Sequence, residues 1–88
     1  MIDSLDEKTL LNVAIRTREK EIYNGQCSTL SSQNEKGEFD ILPFHANFIT
    51  LFSGSILLDK GMPTEKRIEI EKGVLYNMSN QVSVYVGL

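Results

Sequence analysis

The chain has a single histidine, His45, so acid–base or metal chemistry must run through that residue or do without it. A nucleophile needs a base within hydrogen-bond reach. The hydroxyl nearest to His45 in sequence is Thr50, and no triad spacing surrounds the pair. A metal site would have to gather carboxylates such as Asp40 around one imidazole, and the ligand spacing for that is missing. The lone Cys27 lies among polar residues, with no second cysteine or adjacent histidine to stabilise a thiolate, so it reads as a small strand residue. Glu69 and Glu71 form a carboxylate pair, but Ile68 and Ile70 alternate with them, which is the pattern of a solvated strand face. No glycine-rich phosphate loop opens onto a helix. These residues predict no catalytic site, no cofactor and no metal, and direct attention to binding.

The distinctive stretch is Gly37 to Phe52, which holds His45, Pro43 and the aromatics Phe39, Phe44, Phe48 and Phe52. Phe48 and Phe52 are assigned to the core of a domain short of core material. Phe44 follows Pro43 in a turn, where it is either pinned inside or projects as an apolar knob. The imidazole of His45 is expected to bond the backbone of that corner, a role compatible with contact to a partner.

The elements that must position this stretch are strands, because the dominant hydrophobic period is two. Leu11, Val13 and Ile15 alternate with Asn12 and Arg16, Ile68 and Ile70 with Arg67, Glu69 and Glu71, and Val82, Val84 and Val86 close the chain in the same way. Turns are expected at Asn24-Gly25, at Asn34 to Gly37, at Lys72-Gly73 and at Ser79-Asn80, with a polar loop from Asp59 to Thr64. Phe48–Phe52 and Ser55–Leu58 are more continuously apolar and read as strands covered on both faces, with Gly54 marking a bend or close backbone approach. Eight or nine short strands result, which predicts an all-β fold, a small flattened sandwich or barrel of mainly antiparallel strands.

At 88 residues the chain is one domain, 41% hydrophobic and 24% charged. Residues 1–10 read as a polar N-terminal extension and 11–88 as the β domain. The net charge is −3 with Lys and Arg scattered, which argues against a nucleic-acid partner. The acidic start lacks the basic and apolar regions of a signal peptide, and no apolar run approaches the roughly 20 residues that span a bilayer. One cysteine fits a reducing compartment.

Three stretches in order carry a family likeness. They are Val13-Ala14-Ile15-Arg16-Thr17 with Ile22-Tyr23-Asn24-Gly25; Gly37-Glu38-Phe39-Asp40-Ile41-Leu42-Pro43-Phe44-His45-Ala46; and Glu71-Lys72-Gly73-Val74-Leu75 with Asn80-Gln81-Val82-Ser83-Val84. On these motifs the chain resembles the N-terminal β-sandwich domain of the ε subunit of F-type ATP synthase, called δ in mitochondria. The resemblance implies a flattened ten-stranded sandwich in the central stalk, packed on the γ subunit and on the polar loops of the membrane c-ring. Its function would be that of a non-catalytic rotor subunit, peripheral to the cytoplasmic face of the membrane, that carries ion-driven rotation to the catalytic head. By position, Glu35, Lys36, Gly37, Glu38, Pro43, Phe44 and His45 would face the c-ring. Tyr76, Met78 and Tyr85 are expected on a sheet face toward γ. The alternative function is a free-standing β-sandwich interaction module.

The chain departs from the family pattern at three positions. Phe44 stands where family members commonly have Gly, Lys72 replaces the first glycine of a pair, and Asn77 replaces an apolar residue, which predicts a bulge or slipped register there. The two-helix hairpin that follows in most members would begin where this sequence stops, so its regulatory and nucleotide-binding roles are not implied.

Overall fold

A computed structural model describes residues 9–87, so most of the expected N-terminal extension lies outside the described residues. Seven strands follow one another: β1 (Leu11–Arg16), β2 (Glu21–Cys27), β3 (Leu30–Asn34), β4 (Gly37–Ile41), β5 (Phe48–Leu58), β6 (Lys66–Met78) and β7 (Gln81–Val86). They form one sheet in the order β2-β1-β7-β6-β5-β3-β4. Every pairing is antiparallel except that of β1 with β7.

Two long strands give this single sheet two arms. The first half of β5 pairs with the second half of β6, which in turn pairs with β7; the second half of β5 pairs with the start of β6 and, at Leu57 and Leu58, with β3. Between the halves the β5–β6 register shifts at Ser53/Ser55, where Gly54 takes a φ of +90°. That is the bend expected at Gly54, and a left-handed backbone there favours glycine. The inward residues of both arms meet in one core: Leu11, Val13 and Ile15 from β1, Leu75 from β6, Val82 and Val84 from β7, and Leu30, Ile41, Phe52 and Ile56 from the remaining strands. The period-two pattern read from the sequence is therefore the burial pattern of β1 and β7.

Seven strands replace the eight or nine read from the sequence and the ten implied by the resemblance, because Phe48–Phe52 and Ser55–Leu58 join as β5 and the segments on either side of Lys72-Gly73 join as β6; two predicted turns lie inside strands. Asn24 and Gly25 sit within β2, paired with Ala14 and Val13. The chain reverses earlier, where Thr17 N–H donates to Lys20 O (2.8 Å) and Thr17 Oγ1 accepts from the Glu19 and Lys20 amides (both 3.1 Å). Lys72 and Gly73 lie within β6. A Cβ on Gly73 would come 2.1 Å from Tyr85 O and 3.1 Å from the Phe52 ring, so this glycine serves close packing of strands and not a turn. Asn77 brings no bulge either, since its register with Phe48 and Val82 is uninterrupted. The turn at Ser79-Asn80 is as expected: both residues have positive φ, 49° and 67°, in a two-residue hairpin joining β6 to β7.

Candidate docking surfaces

The corner after β4 is a turn from Leu42 to His45, closed by His45 N–H to Leu42 O at 3.1 Å. Pro43 takes the second position and Phe44 the third, with φ +70°. A turn with positive φ at its third position ordinarily has glycine there, so Phe44 holds a strained backbone. Its side chain is 73% exposed, which resolves the open reading in favour of a knob.

Three asparagines lash this corner to the β6–β7 turn. Phe44 N–H donates to Asn80 Oδ1 (2.7 Å), and Ser79 N–H donates to Asn47 Oδ1 (2.8 Å). Asn77, 1% exposed, donates from Nδ2 to Ala46 O (3.1 Å) and His45 O (3.4 Å). The polar residue at an apolar strand position is thus explained: it satisfies carbonyls of a loop with no strand partner. His45 is exposed, its Nδ1 lies 2.9 Å from Ala46 O, and its ring tilts against Phe48 at 5.1 Å between centroids. Bonding the corner backbone is the role expected of it.

The charged tip Glu35-Lys36-Gly37-Glu38 is the β3–β4 turn, held by Lys36 N–H to Asn34 Oδ1 (2.8 Å) with Gly37 at φ +121°. Tip and corner lie at opposite ends of β4, about 13 Å apart at ~3.3 Å per residue. The seven residues expected to face one partner are therefore divided into two groups, with Pro43, Phe44 and His45 on the β6–β7 turn and the other four away from it.

On the sheet face, Ile49 pairs with Tyr76 and Tyr76 with Ser83, while Leu51 pairs with Val74 and Val74 with Tyr85. Paired residues point to the same side, so Ile49, Leu51, Tyr76, Met78 and Tyr85 share one outer face. All five are exposed, Ile49 by 58% and Leu51 by 70%. Tyr76 and Tyr85 meet edge to face at 6.1 Å. Contiguous exposed apolar patches of this kind are characteristic of interaction surfaces. The three residues expected here are brought together. Ile49 and Leu51 were missed because Phe48–Phe52 was read as covered on both faces. Only the partner strand shows which face is open: Phe48 and Phe52 are opposite buried Asn77 and Gly73, so Ile49 and Leu51 must point out.

The remaining reactive groups hold structure. Burial, then the nearby Asp59 charge, pushes the Cys27 thiol up to about 11, which keeps it protonated at neutral pH. Asp59 Oδ1 accepts from the Ser28 amide (2.6 Å) and the Thr29 amide (3.4 Å), and its Oδ2 from Thr64 Oγ1 (2.7 Å). Among the described residues no group of three His, Cys, Asp or Glu side chains could hold a metal ion.

Comparison with known proteins shows the family of the chain. The family model of the β-sandwich domain of the ATP synthase delta/epsilon chain matches residues 10–87. The chain belongs to the ATP synthase delta/epsilon family. Within that family it is 36% identical over 75 residues to the ATP synthase epsilon chain of Leptospira borgpetersenii serovar Hardjo-bovis (strain JB197), a match covering 84% of this chain and 58% of that relative. The chain thus spans little more than half the length of that epsilon chain.

The fold is similar to a chain in the cryo-EM structure of the Euglena gracilis mitochondrial ATP synthase, OSCP/F1/c-ring in rotational state 1. That likeness has a TM-score of 0.78 at 12% identity, covering 89% of this chain and 51% of the other. A chain in the central stalk/c-ring structure of the Tetrahymena thermophila mitochondrial ATP synthase gives a TM-score of 0.65 at 15% identity, over 86% and 62%.

Proposed function

We propose that this chain is a non-catalytic central-stalk subunit of an F-type ATP synthase, which joins γ to the c-ring so that ion-driven rotation reaches the catalytic head. The observation that carries this reading is the exposed Ile49–Leu51–Tyr76–Met78–Tyr85 face on a domain of the delta/epsilon family. Torque transmission needs a rigid body with two separate contacts. The apolar face supplies the first, to γ. Phe44 belongs beside it, because the turn that braces its corner directly follows Met78.

The charged tip Glu35, Lys36, Gly37 and Glu38 supplies the second contact, to the polar loops of the ring. Exposed ion pairs there contribute only ~0.2–1 kcal/mol each, so the apolar contact must provide most of the affinity. The chain would work at the cytoplasmic face of the membrane, as a peripheral part of the F1 sector. Among the described residues no helix is long and apolar enough to cross a membrane.

Co-expression with the γ subunit of the same organism, followed by size-exclusion chromatography, tests the reading. Co-elution as a one-to-one complex is expected. Separate elution at micromolar concentration would leave the family assignment intact and turn the function toward a free-standing interaction module.

A further inference from the structure

Sheet edges left unpaired are ready templates for another strand, and proteins blunt them with charge, proline or bulges. Three free edges in this sheet are blunted in that way. β2 carries Glu21 and follows Arg18-Glu19-Lys20; β4 carries Glu38 and Asp40 and ends before Pro43; the first half of β6 carries Lys66, Arg67, Glu69 and Glu71. The first half of β5 is different. Among the described residues Phe48–Ser53 pairs with β6 on one side only, because the β3–β5 backbone ladder is confined to Leu57 and Leu58, beyond the Gly54 bend. Its sequence, Phe48-Ile49-Thr50-Leu51-Phe52-Ser53, has no charge and no proline and is rich in strand-forming side chains.

The space beside this edge is open. A groove runs between it and the β3–β4 tip, with Asn34, Glu35, Lys36, Thr50, Phe52 and Lys72 in its lining. Asn34 Nδ2 donates to Thr50 Oγ1 (3.0 Å) across its floor, a side-chain contact that ties the tip to β5 without pairing the two backbones. Edge and apolar face meet in the same residues: Ile49 and Leu51 present their side chains to the face and their backbone to the edge. A partner that covers those two side chains arrives at the unpaired backbone between them.

We infer that the β5 edge is a strand-addition site, taking an extended, uncharged segment of the same γ subunit that covers the Tyr76 face. The inference rests on the proposed function and adds how the contact is made. The added strand continues the sheet beyond β5. Its alternate residues extend the Ile49 and Leu51 rows and are therefore apolar, while those between them enter the groove beside Lys36 and Lys72. Six residues of pairing span about 20 Å. Backbone pairing fixes the register that a greasy face alone leaves free to slide.

Amide hydrogen exchange, read residue by residue on the free chain and on its complex with γ, tests this. In the free chain, protection over Phe48–Ser53 should alternate, since only amides facing β6 are bonded. In the complex the outward set should slow by at least about tenfold, making protection continuous. If the complex forms and Ile49, Leu51 and Tyr76 become covered while the outward amides exchange as before, strand addition is wrong and the proposed function stands. If no complex with γ forms, both fall. Continuous protection in the free chain that disappears on dilution would name a second copy as the occupant and overturn the assignment to γ.

Discussion

At the scale of single residues, the informative side chains are those that break a local rule. Phe44 keeps a left-handed backbone that glycine would adopt without strain, at a cost of about 1 kcal/mol. Phe44→Gly should therefore leave stability unchanged or raise it by up to about 1 kcal/mol in urea unfolding, while weakening the γ complex. A loss of stability would mean that the ring packs in the folded chain after all. Asp59 is the second case. Burial alone pushes its carboxyl up, but hydrogen bonds from Thr64, Ser28 and Thr29 outweigh that and hold it below the ordinary carboxylate value. A carboxyl depressed in the folded state stabilises above its unfolded pKa, and that contribution disappears as pH falls through the folded value. Asp59→Asn should cost about 2 kcal/mol at pH 7 and flatten the acid limb of a stability–pH profile. An unchanged acid limb would remove Asp59 from the account. Cys27 should react with a disulfide reagent at pH 7 only at the rate of unfolding, since it is buried with its thiol raised to about 11.

At the scale of elements, local sequence was a good guide wherever one face of a strand is polar. The alternation in Leu11–Arg16, Lys66–Glu71 and Gln81–Val86 gives the inward residues directly, and the Ser79-Asn80 hairpin follows from its turn residues. It was a poor guide at glycines, because a glycine required by a turn and one required by close strand packing look alike in sequence. Gly73 shows the difference. Adding a Cβ there meets Tyr85 backbone oxygen at 2.1 Å, which cannot move without breaking the β6–β7 ladder, so Gly73→Ala should destabilise by at least about 2 kcal/mol. At Gly25 the nearest atom is the Tyr23 hydroxyl, 2.7 Å away at the end of a side chain that can swing aside. Gly25→Ala should cost well under half as much, measured by the same denaturant titration. Phe48–Phe52 was illegible for another reason. Four of its five residues are apolar, so only the pairing with β6 decides which side faces water.

For the whole molecule, the bend at Gly54 and the length of β5 and β6 produce a body with distinct ends and one greasy face. The sequence places the corner and the tip in one motif, yet β4 holds them apart, and no reading of local spacing reveals which one adjoins the apolar face. The lashing of the corner by Asn77, Asn80 and Asn47 makes that connection across about thirty residues of chain. The division of labour that follows is the central claim: γ on the face, the ring on the tip. Titration calorimetry with the γ subunit tests it most directly, using Leu51→Asp and Met78→Asp on the face and Lys36→Glu on the tip. All three positions are exposed, so the variants should fold as the parent does. The account predicts at least a tenfold loss of affinity from each face variant and no change from Lys36→Glu. Equal binding by the face variants, or a loss confined to the tip variant, would contradict it.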